Sequence, residues 1–347
     1  MTRTKGDTVN DNEGAHALTL RDVLPSDSAA VLALHTLVFG PEADQRWFEW
    51  KYGAVAGQGQ AVGAWQSGEL IAYCGGLPRT LWRDGRSVRG LQIGDVMVHP
   101  AWRGILRRCG PFFHVTQRFH SSRLGAAPER AHQLGFGFPN ERHLQLGAKL
   151  GLMRDGGAIE ALHWDAPAPR LPWHWRWREL LPTDERFDAA VNTAWQAMLA
   201  RSGSLLLGQR DAAYLRWRYV GRPGAAGTAA NAPPRYRFFE LGRAWSGTAT
   251  GVAVLDLRSS SALWLDWIGP VELMPLASQA CRRQAAQAGA AELMAWASAA
   301  VVQQLALSSI SRSEVCAGLA VSVFSDLQAQ EVPHLRWWLM GGDTDFL

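Results

Sequence analysis

Lysine is almost missing from this sequence. It occurs only at Lys5, Lys51 and Lys149, so nearly all of the 35 basic side chains are arginine. Net charge is only +4 over 347 residues, and no run of like charge reaches five residues. Arginine suits phosphate geometry, but a small surplus spread along the chain excludes a nucleic-acid footprint. Cysteine is scarce as well. Cys74, Cys109, Cys281 and Cys316 lie far apart, with no CxxC and no His/Cys ligand spacing. That excludes a disulfide framework and a zinc motif, and it points to a reduced, cytoplasmic chain with no metal. No stretch of 18 consecutive apolar residues occurs, so no membrane span is expected. Residues 1–16 are polar and hold no apolar run of the signal-peptide kind. They predict a disordered tail over 1–17.

What is present is tryptophan, 17 residues of it, much of it in clusters such as "RWFEW" and "WHWRWRE". Amphipathic aromatics of this kind fill cores and their edges. A second feature is repetition. "LRDVLPSD" at 20–27 matches "WRELLPTD" at 177–184 in kind at seven of eight positions. Beyond this phrase both halves continue in one order: helix, second helix, hairpin, strand, helix, strand, helix. The triplet Trp50-Lys51-Tyr52 is echoed by Trp217-Arg218-Tyr219, and the strand "LQIGDVMVHP" by "LWLDWIGP". A repeat that holds its order over several elements predicts duplication.

Each half therefore reads as an α/β unit, a mixed α+β sheet with helices on its faces. The expected divisions are a tail at 1–17, a first domain at 18–165, a linker at 166–175 and a second domain at 176–347. Prolines in "DAPAPRLP" break regular structure at the junction.

The segment richest in chemistry is "GDVMVHPAWRGILRRCGPFF", 94–113. A strand ending near Val98 runs through a loop of glycine and arginine into a helix starting at Gly110-Pro111, with proline at the first helical position. Free N–H groups and the helix dipole there favour an anion. Arg103, Arg107 and Arg108 add charge and bidentate donors. The loop lacks GK[ST] and GxGxxG, so neither a P-loop nor a dinucleotide fingerprint is expected.

Taken with "GFGFPN" (135–140) and "LGAKLGL" (146–152), "VMVHPAWRG" (96–104) resembles the GNAT superfamily of N-acetyltransferases. There a strand ending V-x-P-x-x-R-G enters a pyrophosphate loop and helix, and a later strand ends in Asn. The resemblance covers about 18–155 and, in degraded form, the second half, as in tandem-GNAT acyltransferases. It implies two GNAT-like domains, each a mostly antiparallel sheet flanked by helices. It also implies acetyl-CoA, or another acyl-CoA, as co-substrate. The backbone of Val96, Met97 and Val98 would pair with the pantetheine arm. Arg103, Gly104, Ile105, Leu106, Arg107, Arg108 and Gly110 would hold the pyrophosphate, and Asn140 would lie near the thioester. The acceptor would be an amine of a small molecule, for instance an amino sugar or an envelope polysaccharide precursor.

Two departures stand out. The customary acid and base positions of the family are Gly147 and Gly135 here. The proton must then leave through another group within reach. The candidates are Asp95 and His99 on the strand, and Glu141 and His143 in the turn after Asn140. With those glycines, a non-catalytic acyl-CoA-binding or scaffold protein is the alternative. In the second half, "WLDWIGPVELMPLASQ" (264–279) holds no arginine, and Asp266 and Glu272 are expected to repel phosphate there. Ser298 stands at the place of Asn140, and the second domain reads as degenerate.

Overall fold

In a computed structural model, residues 7–9, 18–53, 60–103, 110–127, 130–166, 168–225, 233–257, 260–305 and 309–344 are described. The expected pyrophosphate-loop residues Gly104, Ile105, Leu106, Arg107 and Arg108 lie outside them.

The first half runs β1 (Asp7–Val9), β2 (Leu18–Asp22), α1 (Ser28–Phe39), α2 (Gln45–Tyr52), β3 (Gln60–Gln66), β4 (Glu69–Arg83) and β5 (Arg86–Val98). It continues with α3 (Pro111–Arg123), β6 (Leu134–Gly137), α4 (Glu141–Lys149) and β7 (Met153–Asp165). The second half runs β8 (Trp175–Glu179), α5 (Phe187–Leu199), β9 (Leu205–Gly208), α6 (Ala212–Leu215), β10 (Tyr236–Arg243), β11 (Ala249–Asp256) and β12 (Ser261–Ile268). Then come α7 (Met274–Gln287), β13 (Glu292–Ser298), α8 (Ala299–Val302), β14 (Arg312–Ser322) and β15 (Arg336–Trp338).

The repeated phrase forms the same turn twice. The Asp27 carboxylate accepts the Leu24 N–H at 2.8 Å, and that of Asp184 accepts the Leu181 N–H at 3.0 Å. Each proline turn is thus closed by its own aspartate before the next helix begins. The β3–β4 hairpin turns at Ser67-Gly68, both at positive φ. A second hairpin at Asp84-Gly85, also at positive φ, joins β4 to β5. Residues 7–9, placed by sequence in a disordered tail, instead pair antiparallel with Leu18–Leu20.

The chain forms two compact units, and the division is interleaved. One unit comprises 1–79, 89–156 and 319–333; the other comprises 80–88, 157–318 and 334–347. In unit 1 the strand order is β1-β2-β3-β4-β5-β6, and β6 is then paired antiparallel by the end of β14 (Ala320↔Gly137). In unit 2 the order is β8-β10-β11-β12-β13, and β13 is paired antiparallel by β7 (Ser298↔Ile159 to Glu292↔Asp165). Each sheet is thus completed by a strand from the other half of the chain. A cut at 166–175 does not describe the units, because strand pairing rather than chain order decides membership.

Within these two sheets, the consecutive strands β5–β6 and β12–β13 pair in parallel. Parallel neighbours need a crossover, and α3 and α7 supply it. Unit 1 packs both faces of its sheet. Val62, Ala72, Cys74 and Leu91 meet Val115 and Phe119 of α3 on one face. Val31 and Leu34 of α1 and Phe48 of α2 meet Leu70, Tyr73 and Met97 on the other. Unit 2 buries Trp164, Trp264, Trp267 and Trp338 completely or nearly so. Trp173 and Trp245 are exposed.

Candidate active site

In unit 1, β5 pairs with β6 from Gly90↔Leu134 to Ile93↔Gly137. β6 then ends, while β5 continues to Val98. On its other side β5 stays with β4, since His99 N donates to Ile71 O at 2.8 Å. The edge of Val96, Met97 and Val98 that faced β6 is therefore left without a strand neighbour among the described residues. Met97 is buried against α1 and α2, whereas Val96 and Val98 pack partly against the α3 face. A strand edge of this kind accepts an extended amide-bearing chain by ladder hydrogen bonds, which is what a pantetheine arm presents.

The helix beside this gap starts as the sequence predicts, with Gly110 at the N-cap and Pro111 next. Gly110 has no side chain to cap the helix, Pro111 has no N–H and His114 N donates to Gly110 O at 3.2 Å, so the first-turn N–H groups that can serve an anion are those of Phe112 and Phe113. Arg103 Nε donates to Val98 O at 2.9 Å, which sets its guanidinium at the end of the strand edge. The donors and the charge present fit a pyrophosphate.

Asn140 caps α4, its side chain accepting from His143 N at 3.0 Å. The His143 ring stacks on Phe112 of the first turn of α3, with centroids 6.1 Å apart. Burial, then the charges of Arg142 and Arg103, hold the His143 imidazole below its usual range. It is therefore neutral at pH 7. Glu141 points along the exposed face of α4 and accepts from Gln145 Nε2 at 3.1 Å.

Asp95 sits two residues beyond the last paired residue of β5, at φ 51°. This left-handed kink turns the strand just where it leaves β6. Its carboxylate takes Lys51 Nζ at 2.8 Å and the Tyr52 hydroxyl. Lys51 and Asp95 side chains are only 4% and 10% exposed. Tyr52 in turn meets Tyr73 edge-on at 6.1 Å. Gly75 makes room for both rings: a Cβ there would lie 2.5 Å from the Tyr52 hydroxyl. The partners of Asp95 went unread from the sequence, although the repeated triplet marked them. His99 faces elsewhere, with Nε2 3.9 Å from Glu69 and Nδ1 accepting from Ala101 N at 3.2 Å. Asp95 and His99, both candidates on this strand, hold different partners.

Both customary acid/base positions are used for packing. A Cβ at Gly135 would meet the Leu124 side chain at 2.5 Å, and one at Gly147 would meet Met153 at 2.5 Å. No group of three or more His, Cys, Asp or Glu side chains is placed to hold a metal among the described residues.

Unit 2 repeats the geometry. β12 and β13 pair as far as Trp264↔Ala295 and then part. Asp266 again lies two residues beyond, with the Tyr219 hydroxyl 3.2 Å from its Oδ2. Ser298 stands three residues beyond Ala295, as Asn140 stands beyond Gly137, and it too is an N-cap. The sequence reading of Asp266 as a phosphate-repelling loop residue is corrected: it is fully buried and paired with Arg210 at 2.8 Å. Glu272 is exposed and paired with Arg201.

The mixed sheet thus opens beyond its parallel pair, beside an uncapped helix start. Residues 19–145 match the family described as acetyltransferase (GNAT) domain. Over those residues the chain is similar to GNAT acetyltransferases.

Among solved structures, a probable N-acyltransferase from Enterococcus faecalis V583 is similar over 88% of this chain and 73% of its own, at 12% identity and TM-score 0.65. A tandem GNAT protein from the clavulanic acid biosynthesis pathway covers 88% of this chain and 98% of its own, at 12% identity and TM-score 0.51. Saccharomyces cerevisiae N-myristoyltransferase with bound myristoyl-CoA covers 93% and 84%, at 11% identity and TM-score 0.53. No curated protein matches the sequence. No helix among the described residues is long and apolar enough to cross a membrane.

Proposed function

We propose that the protein is an acyl-CoA-dependent N-acyltransferase, acting with acetyl-CoA on the amine of a small molecule. The observation that supports this best is the parting of β5 from β6 after Ile93↔Gly137, which leaves the Val96–Val98 edge beside the start of α3. The acyl donor brings a thioester carbonyl already activated for attack by nitrogen. Unit 1 carries this work, and unit 2 is a degenerate second copy.

Backbone groups of Val96, Met97 and Val98 hold the pantetheine arm, and Asn140 orients it from the facing side. Arg103, the arginines of 104–108 and the N–H groups after Gly110 neutralise the pyrophosphate. His143, held neutral by burial and by its arginine neighbours, accepts the proton that the attacking amine loses. Holding amine and thioester together supplies most of the acceleration, so no covalent enzyme intermediate is needed. Asp95 is a strut: its carboxylate fixes the kink of β5 through Lys51 and Tyr52. His99 and Glu141 serve the strand end and the α4 first turn.

Thermal unfolding with CoA, acetyl-CoA and longer acyl-CoAs tests the reading. A ligand present at a hundred times its Kd stabilises the native state by about 2.7 kcal/mol, so a rise in Tm is expected. No rise with any of them would overturn the proposal. Thioester turnover across a panel of amines, amino sugars included, then separates an enzyme from a non-catalytic binder.

A further inference from the structure

The gap between β12 and β13 in unit 2 already holds a piece of backbone. Met340 forms an antiparallel bridge with Ala297. Ser298 N donates to Leu339 O at 2.9 Å, and Leu339 N donates to Ser298 Oγ at 3.0 Å. On the β12 side Gly342 lies so close that a Cβ there would stand 3.0 Å from Leu265 O and 1.8 Å from the Tyr219 hydroxyl. Leu265 is the first residue of β12 beyond the paired stretch. Residues 339–344 thus touch both strands just where they separate.

Charge holds the segment in place. Arg218 Nε donates to Gly342 O at 2.9 Å, and another of its nitrogens donates to Thr344 O. Asp343, 1% exposed, pairs with Arg210, which also pairs with Asp266. The buried Arg210 guanidinium faces two buried carboxylates, and the buried Arg218 faces two backbone carbonyls of the segment. Withdrawing the segment would take one carboxylate from Arg210 and two carbonyl acceptors from Arg218, and a buried charge that loses its partners is costly.

We propose that residues 339–344 are the resident occupant of the unit 2 gap, bridging β13 at Met340 and then turning in a 3-10 helix over Gly341–Asp343, at the place that the donor's arm takes in unit 1. Unit 2 then takes no CoA, and the chain binds one CoA rather than two. The comparison with unit 1 rests on the acyl-CoA reading above; the occupancy of the unit 2 gap does not.

Amide hydrogen exchange on the full chain tests the occupancy. The N–H groups of Leu339, Met340, Asp343 and Thr344 should exchange as slowly as those of β11 and β12. Asp343→Asn, which removes one charge of the lock, should speed their exchange by about tenfold or more. Rapid exchange in the unaltered chain, or no change in D343N, would overturn the proposal. Calorimetry with acetyl-CoA should give one site per chain, and two sites would also overturn it. If acetyl-CoA does not bind at all, the acyl-CoA reading falls, and the exchange data still decide the occupancy.

Discussion

Lys51 Nζ lies 2.8 Å from Asp95 Oδ2, inside unit 1 and almost out of contact with solvent. The only two other lysines of the chain are Lys5 and Lys149. Removing one partner of a buried ion pair leaves the other uncompensated, at a cost of about 3–5 kcal/mol. Lys51→Met should therefore lower stability by roughly that amount in urea denaturation. The double variant Lys51→Met/Asp95→Leu should recover part of the loss. A K51M variant as stable as the unaltered chain would remove the strut from Asp95.

The pyrophosphate assignment rests on arginines at the strand end and in the loop that follows. Arg103→Ala together with Arg107→Ala removes two charge-assisted donors, each contributing about 1.5–3 kcal/mol. CoA affinity should fall by at least about tenfold while the fold melts as before. Unchanged affinity in titration calorimetry would show that the phosphates bind elsewhere.

His143 gives a pH signature. Its imidazole is held below the usual range by burial and by Arg142 and Arg103, and only the neutral form accepts a proton. Activity should be full above that value and drop about tenfold per pH unit below it. The limb should lie under pH 6.5 and vanish, with most of kcat, in His143→Gln. A limb that persists in H143Q belongs to another group.

His120 predicts an acid limit to stability. Burial pushes its pKa down to about 4, and its Nδ1 lies 3.0 Å from Ser322 Oγ on the strand that β14 adds to unit 1. The unfolded chain binds a proton near pH 6.5 that the folded chain refuses until about pH 4. Stability from this group is therefore present above pH 6.5 and is lost as pH falls between those values. The loss should total about 3 kcal/mol. His120→Gln should flatten the dependence in denaturant titrations across that window.

The sequence by itself determined the local devices. Gly110-Pro111 began a helix, Asn140 capped one, and Asp27 and Asp184 closed the same turn in two places. These are decided within a few residues, by backbone preferences and short side-chain hydrogen bonds. The repeat was legible for the same reason, and with it the order of elements and the strand that carries Val96–Val98.

Tertiary structure decided the rest. Period-two alternation could not foresee that a positive φ at Asp95 would turn its carboxylate toward Lys51 and Tyr52. Nor could chain order show that β7 and β14 complete sheets belonging to the opposite half. The loop of unit 2 looked disabled because it lacked arginine. The structure adds that its gap is filled by residues 339–344, held by Arg210 and Arg218 from more than a hundred residues away. Such contacts depend on which side chains meet after the sheet forms, and a buried charge finds its partner only there.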